Sequence, residues 1–203
     1  MRIIRKLLVV FLCLGSFVYM DSLLSDKQQL RDQVLRLHVV ANSDSEADQA
    51  VKLQVRDAVL AVVDEVTAGA DSKKEAQRLL EQNLTGLEAA ADRVLEQAGM
   101  TDRTKVTLCQ ENFSTREYDT FTLPAGVYDS LRVTIGSGAG RNWWGVVFPG
   151  RCIPAASDGV ADTAAGAGFS DSLTGSITGQ PRYEVRFFLL DWLGRLENFF
   201  HNP

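Results

Sequence analysis

The spacing of the hydrophobic residues changes at Gly99, and this change limits the classes of fold that the chain can adopt. Before Gly99, apolar residues recur every three or four positions through two long stretches, which is typical of helices with one buried stripe. After Gly99, apolar and polar residues alternate, which is typical of strands with one buried face. Helices followed by strands indicate an α+β fold, and 203 residues suit a single domain of about 150 residues with some chain left over.

Two capping signals predict where the helices begin. Each is a serine followed three residues later by a glutamate, so that both side chains can accept backbone N–H groups of the first turn. These capping boxes are Ser43 with Glu46 and Ser72 with Glu75. Gly99 suits the end of the second helix, because a C-terminal cap favours glycine. We expect two antiparallel helices packed on one face of the sheet.

Five short runs rich in β-branched and aromatic residues are predicted to form that sheet. They are residues 34–41, 105–111, 118–123, 127–135 and 143–148. Short turn signals separate the last four runs, which favours an antiparallel meander and hence a mostly antiparallel sheet. The glycine-rich segment 136–140 follows a strand but precedes no predicted helix. We therefore interpret it as a turn between strands rather than a phosphate-binding loop.

The first 20 residues have the order of an export signal. Arg2, Arg5 and Lys6 precede an uncharged stretch from Leu7 to Met20. That stretch is within the range of about 7–15 residues for the apolar part of a signal peptide. It is shorter than the ~20 residues of a typical spanning helix. Residues 1–20 are therefore either a cleaved signal or a membrane anchor through residues 3–20, and the remainder of the chain is expected to be exported.

The charge of the remainder argues against nucleic-acid binding. The whole chain has a net charge of −5, and removal of residues 1–20 removes three basic side chains and leaves −8. A domain that binds a phosphate backbone usually carries a basic patch instead. The chain has only two histidines and no metal-ligand spacing, so no metal and no cofactor are predicted.

The chain after the first 20 residues divides into a folded domain, a linker and a terminal apolar element. Residues 21–152 are predicted to be the α+β domain, and residues 153–183, rich in Ala, Gly, Ser and Thr, a flexible linker. Residues 184–203 are apolar, with a strand predicted over 184–190 and a helix over 192–200. This element is expected to return to the core, with a membrane surface or a partner as alternatives.

The cysteines leave two alternatives open. On the exported side, Cys109 and Cys152 could form a disulfide or remain isolated thiols.

The candidate catalytic residues are few. His38 lies in an apolar strand, and we interpret it as a hydrogen-bonded core histidine; the alternative is a site histidine acting with Asn42 and Asp44. Asp44 is also explained by the favourable charge interaction at a helix N-terminus. The residues therefore favour a protein that is not an enzyme. A membrane-anchored hydrolase of the cell envelope, built on His38 or a carboxylate pair, is the alternative.

Arg141, Asn142, Trp143 and Trp144 form the segment most typical of a binding surface. Adjacent residues of a strand point to opposite faces, so one tryptophan should fill the core. The other is then either exposed or covered by the C-terminal segment. An exposed tryptophan beside arginine and asparagine combines a large apolar area with polar groups, as contact surfaces for protein partners often do.

Three ordered motifs in the chain resemble those of the stage II sporulation protein R family. They are residues 35–44 with 48–49 and 55–57, residues 115–118 with 122–128, 131–133 and 135–136, and residues 142–149. Members of that family commonly have a cysteine after the double tryptophan, where this chain has Gly145. Cys152 would then stay free or pair with Cys109.

The resemblance implies a signalling function. Members of the family are exported from the forespore into the space between forespore and mother cell. There they trigger a membrane-embedded sporulation aspartic protease, which then processes pro-sigma-E. For this chain we expect Arg141, Asn142, Trp143 and Trp144 to contact the protease, with a second set of candidate contact residues. The second set is Arg116, Glu117 and Arg132.

Overall fold

The structure, a computed structural model, describes residues 2–117, 122–148 and 184–201, and it confirms the α+β class. The helices are α1 (Arg2–Gln33), α2 (Glu46–Thr67), α3 (Lys73–Gln82), α4 (Leu84–Gln97) and α5 (Glu184–His201). The strands are β1 (Leu35–Val40), β2 (Thr104–Phe113), β3 (Arg116–Glu117), β4 (Thr122–Leu123), β5 (Gly126–Ile135) and β6 (Asn142–Phe148). Most of the predicted strand 118–123 and all of the predicted linker 153–183 lie outside the described residues.

The main sheet is mixed, in the order β2-β5-β1-β6. β1 pairs parallel with β5 and antiparallel with β6, and β2 pairs antiparallel with β5. The predicted meander is wrong, because β1 lies between β5 and β6. All six residues of β1 are buried, and a strand that is buried along its whole length belongs in the middle of a sheet.

Helices α2 and α4 cover one face of this sheet, which we call the helical face. Alternate residues of β1 and β5 point to it and pack with the apolar stripes of the two helices. The fully buried members include Leu35, Leu37, Val39, Leu131 and Val133 of the strands and Val55, Val59, Leu87 and Leu95 of the helices. The opposite face, which we call the polar face, carries the intervening residues of the strands.

The helix boundaries agree with one predicted cap and correct the other. Ser72 accepts a hydrogen bond from the Glu75 N–H, as predicted. The first helix is capped by Ser45, whose hydroxyl accepts from the Asp48 N–H, and not by Ser43. Ser43 instead donates to the Asp48 carboxylate at 2.5 Å, which leaves Ser45 as the cap.

The second predicted helix is divided in two at Asn83. There the backbone leaves the helical region, and the Asn83 side chain donates to the Leu79 carbonyl at 2.8 Å. A short polar side chain of this kind competes with the backbone for hydrogen bonds and so favours a helix end. The second part, α4, ends at Gln97 with Ala98 as its C-cap, and the positive φ of 72° at the next residue, Gly99, confirms the predicted glycine cap.

The N-terminal segment forms the first part of α1. Its apolar side chains that are described, such as Phe11 and Phe17, are exposed, whereas Leu30 near the other end of the helix is buried in the core. Among residues 2–117, 122–148 and 184–201, no helix has the length and hydrophobicity needed to span a bilayer.

The strand predicted over 184–190 is wrong, because α5 is one continuous helix from Glu184 to His201. Asp191, Gly194 and Asn198 are spaced by three and four residues, and only a helix brings that spacing to one face. Asp191 accepts from the Ala125 N–H at 2.9 Å, and Asn198 donates to the Phe113 carbonyl at 2.8 Å. The helix is therefore held on the backbone at the end of β2 and the start of β5.

The Asp191 carboxylate is the main polar contact of α5. It is buried, and burial by itself raises the pKa of a carboxyl group. Hydrogen bonds from the Ala125 N–H, the Thr115 hydroxyl and the Arg195 guanidinium outweigh burial, so the pKa of Asp191 lies below its usual value. The helix therefore docks with an ionised aspartate at neutral pH.

Substitution of Gly194 by alanine should release α5 from the sheet. A Cβ atom at Gly194 would lie 1.5 Å from the Ala125 carbonyl oxygen, so the helix must move. We expect a loss of about 1–3 kcal/mol in the free energy of unfolding, the usual cost of overpacking. Hydrogen exchange of the α5 amides and thermal unfolding measure the effect.

Gly86→Ala is the matched control, because a Cβ atom at this exposed position of α4 meets no atom within 4 Å. It should leave stability unchanged or raise it by ~0.5–1 kcal/mol. Equal effects of the two substitutions would contradict the close contact at Gly194.

Candidate functional site

The polar face of the sheet gathers charged and aromatic side chains from all four strands. They project there because residues paired across the strands alternate between the two faces in register. The members are Arg36 and His38 of β1, Glu111 and Phe113 of β2, Tyr128 and Arg132 of β5, and Trp144 of β6. We call these seven residues the polar-face cluster.

His38 lies at the centre of this cluster and is only 5% exposed. Its Nδ1 is 3.0 Å from Oε1 and 3.1 Å from Oε2 of Glu111. Its ring stacks on Trp144, with centroids 3.7 Å apart and an angle of 18° between the planes. The structure thus places His38 inside the protein, hydrogen-bonded to a carboxylate.

Glu111 connects His38 to Arg132. The Arg132 guanidinium donates to Glu111 Oε1 at 3.0 Å, and the Glu111 side chain is 13% exposed. Burial works to raise the pKa of Glu111, but the hydrogen bond and charge of His38 and the charge of Arg132 outweigh it. The pKa of Glu111 is therefore lowered, and the carboxylate is ionised at neutral pH.

Arg36 is a member of the cluster that sequence reasoning missed. Its side chain is fully buried, with the guanidinium carbon 3.9 Å from the centre of the Phe113 ring and 5.2 Å from that of Tyr128. Both distances are within the range of cation–π attraction. The available signal was an arginine two positions before His38 in an apolar strand, since that spacing places both on one face.

The two tryptophans point to opposite faces, as predicted. Trp143 is paired with Val39 on the helical face, and Trp144 with His38 on the polar face. Neither is fully buried or fully exposed, because a guanidinium group lies over each ring. Arg56 is 5.0 Å from the centre of Trp143, and Arg116 is 5.5 Å from the centre of Trp144.

Asn42 and Asp44 are not brought to His38. Asn42 Oδ1 accepts from the Ser137 N–H at 2.9 Å, and Asp44 Oδ1 accepts from the Arg141 N–H at 2.7 Å. These bonds tie the loop after β1 to the loop between β5 and β6. The structure thus joins Asn42 and Asp44 to the backbone of residues 137–141, and a site formed by these two residues with His38 stays a hypothesis.

The glycine-rich segment 136–140 is part of the same contact. Gly136 has a φ of +53°, and a Cβ atom there would lie 2.4 Å from Asn42 Oδ1. Lys52, which is buried, donates to the Arg141 carbonyl at 3.0 Å. Burial and the nearby charge of Arg141 lower the pKa of Lys52. This loop contact positions Arg141 and Asn142 at the start of β6.

The predicted contact residues are divided between the two faces of the sheet and the start of β6. Trp144, Arg116 and Arg132 belong to the polar face, whereas Trp143 belongs to the helical face. Arg141 and Asn142 are exposed at the start of the strand, and the side chain of Glu117 lies outside the described part.

Metal-binding side chains and cysteines are the remaining candidates for chemistry at this site. In the described ranges, no group of three or more metal-binding side chains comes together. Cys109 is a free, half-buried thiol whose pKa is raised by burial, and Cys152 lies outside the described residues.

Comparison with known proteins identifies relatives of the chain. A sequence model of the family described as stage II sporulation protein R matches residues 31–158. Stage II sporulation protein R of Bacillus subtilis strain 168 is 31% identical over 183 residues, which covers 81% of this chain and 82% of that protein. No solved structure matches the chain. The matched residues 31–158 include the four strands of the main sheet and helices α2 to α4.

Glu111→Gln should destabilise the fold by about 1–3 kcal/mol, the usual range for a lost hydrogen bond to a charged group. The substitution keeps the size of the side chain but removes the charge between His38 and Arg132. Because the folded-state pKa of Glu111 is lowered, its stabilisation is present above about pH 4.3 and is lost as the pH falls through the folded-state pKa. The difference between wild type and variant should therefore shrink in acid.

Urea denaturation at a series of pH values measures this difference. Glu81→Gln removes the same charge at an exposed position of α3 and should change stability by less than ~0.5 kcal/mol. A pH-independent difference for Glu111→Gln would contradict an ionised Glu111 in the cluster.

Proposed function

Since the chain belongs to the stage II sporulation protein R family, we propose that this sporulation protein is an exported signal that activates a membrane-embedded aspartic protease. The forespore makes and exports it into the space between forespore and mother cell. The protease in the mother-cell membrane responds by removing the pro-sequence of pro-sigma-E. Residues 1–20 direct export, with residues 3–20 as the anchor if they are retained.

The observation that carries this proposal is the arginine-covered tryptophan on the polar face. Trp144 lies under Arg116, and Arg132 has a side chain 40% exposed beside the buried His38–Glu111 pair. Tryptophan and arginine are the residue types that most often dominate the energy of protein contacts. We call the group of Trp144, Arg116 and Arg132 the Trp144 surface, and we propose it as the protease contact.

The charge of this surface indicates the chemistry of its partner. The chain as a whole is acidic, with a net charge of −5, whereas the Trp144 surface presents two guanidinium groups. Arginine binds carboxylates with paired, directional hydrogen bonds. The contact on the protease is therefore an acidic segment outside the membrane. Activation requires that this segment bind the signal more tightly in the active state of the protease than in the inactive state.

The other predicted contacts extend this surface along β6. Arg141 and Asn142 are exposed where the strand begins, and Glu117 follows Arg116 in β3. Trp143 lies on the opposite face and is covered by Arg56. We propose that the first three border the protease contact, and that Trp143 has a different role.

One observation favours an enzyme as the second candidate. In many hydrolases, the general base is a histidine whose Nδ1 is hydrogen-bonded to a carboxylate and whose Nε2 is free. Nε2 of His38 has no hydrogen-bond partner in the described ranges. A membrane-anchored hydrolase of the cell envelope would use this pair. His38→Gln separates the candidates, because a signal that keeps its fold should retain activity and a hydrolase should lose it.

The signalling proposal predicts that a strain without this gene accumulates unprocessed pro-sigma-E. Restoring the wild-type gene should restore processing, whereas Arg116→Glu should lower the response by about tenfold, equivalent to ~1.4 kcal/mol of binding free energy. Immunoblotting of pro-sigma-E during sporulation measures both. Arg93→Glu, the same charge reversal at an exposed position of α4, is the matched control and should act as wild type. Normal, timely processing in the deletion strain would rule out the proposal.

A further inference from the structure

The two edges of the main sheet differ in how their backbone groups are satisfied. At the β2 edge, the Thr104 N–H donates to Asp92 at 2.7 Å, and the Val106 N–H donates to Glu88 at 2.9 Å. Carboxylates of α4 therefore cover that edge. At the other edge, β6 pairs only with β1, and no side chain in the described ranges is hydrogen-bonded to a β6 amide. An uncovered edge strand is a template for another strand.

The composition of β6 favours pairing with another strand along residues 142–146, before the register shift near its end. Its seven residues, Asn142 to Phe148, include no charged side chain, whereas isolated edge strands are usually protected by charges or proline. Two tryptophans, two valines and a phenylalanine favour an extended, paired strand. The β6 edge therefore has the features of an interface.

Helix α2 adds a strip of side chains along the same edge. Leu53, Arg56, Leu60 and Asp64 recur at intervals of three and four and so share one side of the helix. The guanidinium of Arg56 lies over Trp143, which fixes that side towards β6. Leu53 is 40% exposed, although it is apolar.

The charges along this edge change sign from one end to the other. Arg141 and Arg56 lie near the start of β6. Near its end, Asp64 and Glu65 line a cleft of about 610 Å³ together with Val147 and Phe148 of the strand. At the surface, Asp57 forms an ion pair with Arg56, and Asp44 forms one with Arg141. Both acidic side chains are exposed. The edge therefore carries two ion-paired arginines and an aromatic ring at one end, and acidic side chains at the other.

We propose that a second copy of this chain pairs antiparallel with β6 and forms a two-fold symmetric dimer. Antiparallel pairing about a two-fold axis places the arginines of each copy beside the acidic end of the other, so the surface is complementary to itself. The two four-stranded sheets then form one continuous sheet of eight strands.

The dimensions of the strand and the helix agree with one common axis. Trp143 and Val147 are four residues apart, which spans ~13 Å along a strand. Arg56 and Asp64 are eight residues apart, which spans ~12 Å along a helix. An axis at Gly145 therefore passes close to Leu60 and brings Arg56 opposite Asp64 of the second copy.

The side chains near that axis are apolar. A Cβ atom at Gly145 would lie 2.5 Å from the Trp143 ring, so the indole lies over the glycine at the middle of the strand. Trp143, Leu60 and Leu53 of both copies would then be removed from water in the dimer. This gives Trp143 a role separate from the protease contact, because the Trp144 surface stays on the opposite face of the sheet.

Sedimentation equilibrium of the full chain in a mild detergent tests the dimer. Arg56→Glu and Asp64→Arg should each raise the dissociation constant by roughly tenfold, because each creates two like-charge pairs in the homodimer. An equimolar mixture of the two variants should form the heterodimer, in which both pairs are again of opposite charge. The two substitutions combined in one chain should restore the homodimer.

Lys105→Glu is the control, since it reverses a charge at an exposed position of the covered β2 edge and should leave the dissociation constant unchanged. Circular dichroism checks that each variant is folded.

Hydrogen exchange of the β6 amides should slow as the protein concentration rises. A chain that remains monomeric at its highest soluble concentration overturns the proposal, whether or not another segment protects β6. A dimer that is indifferent to both charge reversals overturns it as well. The assay contains no protease, so its outcome is independent of the signalling proposal.

Discussion

The burial of β1 in the middle of the sheet is the constraint on which the rest of the structure depends. The strand is covered on both faces, but its polar-face residues are Arg36 and His38 rather than apolar side chains. A buried charge is costly unless it is paired or lies against polarisable groups. Glu111 provides the pairing for His38, and the rings of Phe113 and Tyr128 surround the Arg36 guanidinium. The polar-face cluster thus first stabilises β1 in its buried position.

The same cluster also contributes to a surface that is suited to recognition by a partner. The stacking of Trp144 on His38 fixes the indole, and Arg116 and Arg132 then lie at the boundary with solvent. A contact surface that is already rigid loses less conformational entropy when a partner binds. The buried charges of β1 and the proposed protease contact are therefore two parts of one arrangement.

The sequence predicted local structure well and long-range pairing less well. The Ser72 cap and the Gly99 cap were predictable because each depends on a few neighbouring residues. The place of β1 between β5 and β6 was not, since turn signals describe only consecutive strands. At the site, the opposite orientation of the two tryptophans followed from strand geometry. The arginine over each ring did not, because Arg56 and Arg116 are remote in sequence from β6.

The docking of α5 sets the order in which this protein can fold. Leu190 belongs to the buried core, and Asp191 bonds to Ala125, 66 positions earlier in the chain. The helix is thus joined to the sheet by contacts between residues that are far apart in the chain. Contacts of such long sequence separation form slowly. Docking of α5 is therefore a late step in folding, and a chain cut before residue 190 would lack the contacts that close this end of the sheet.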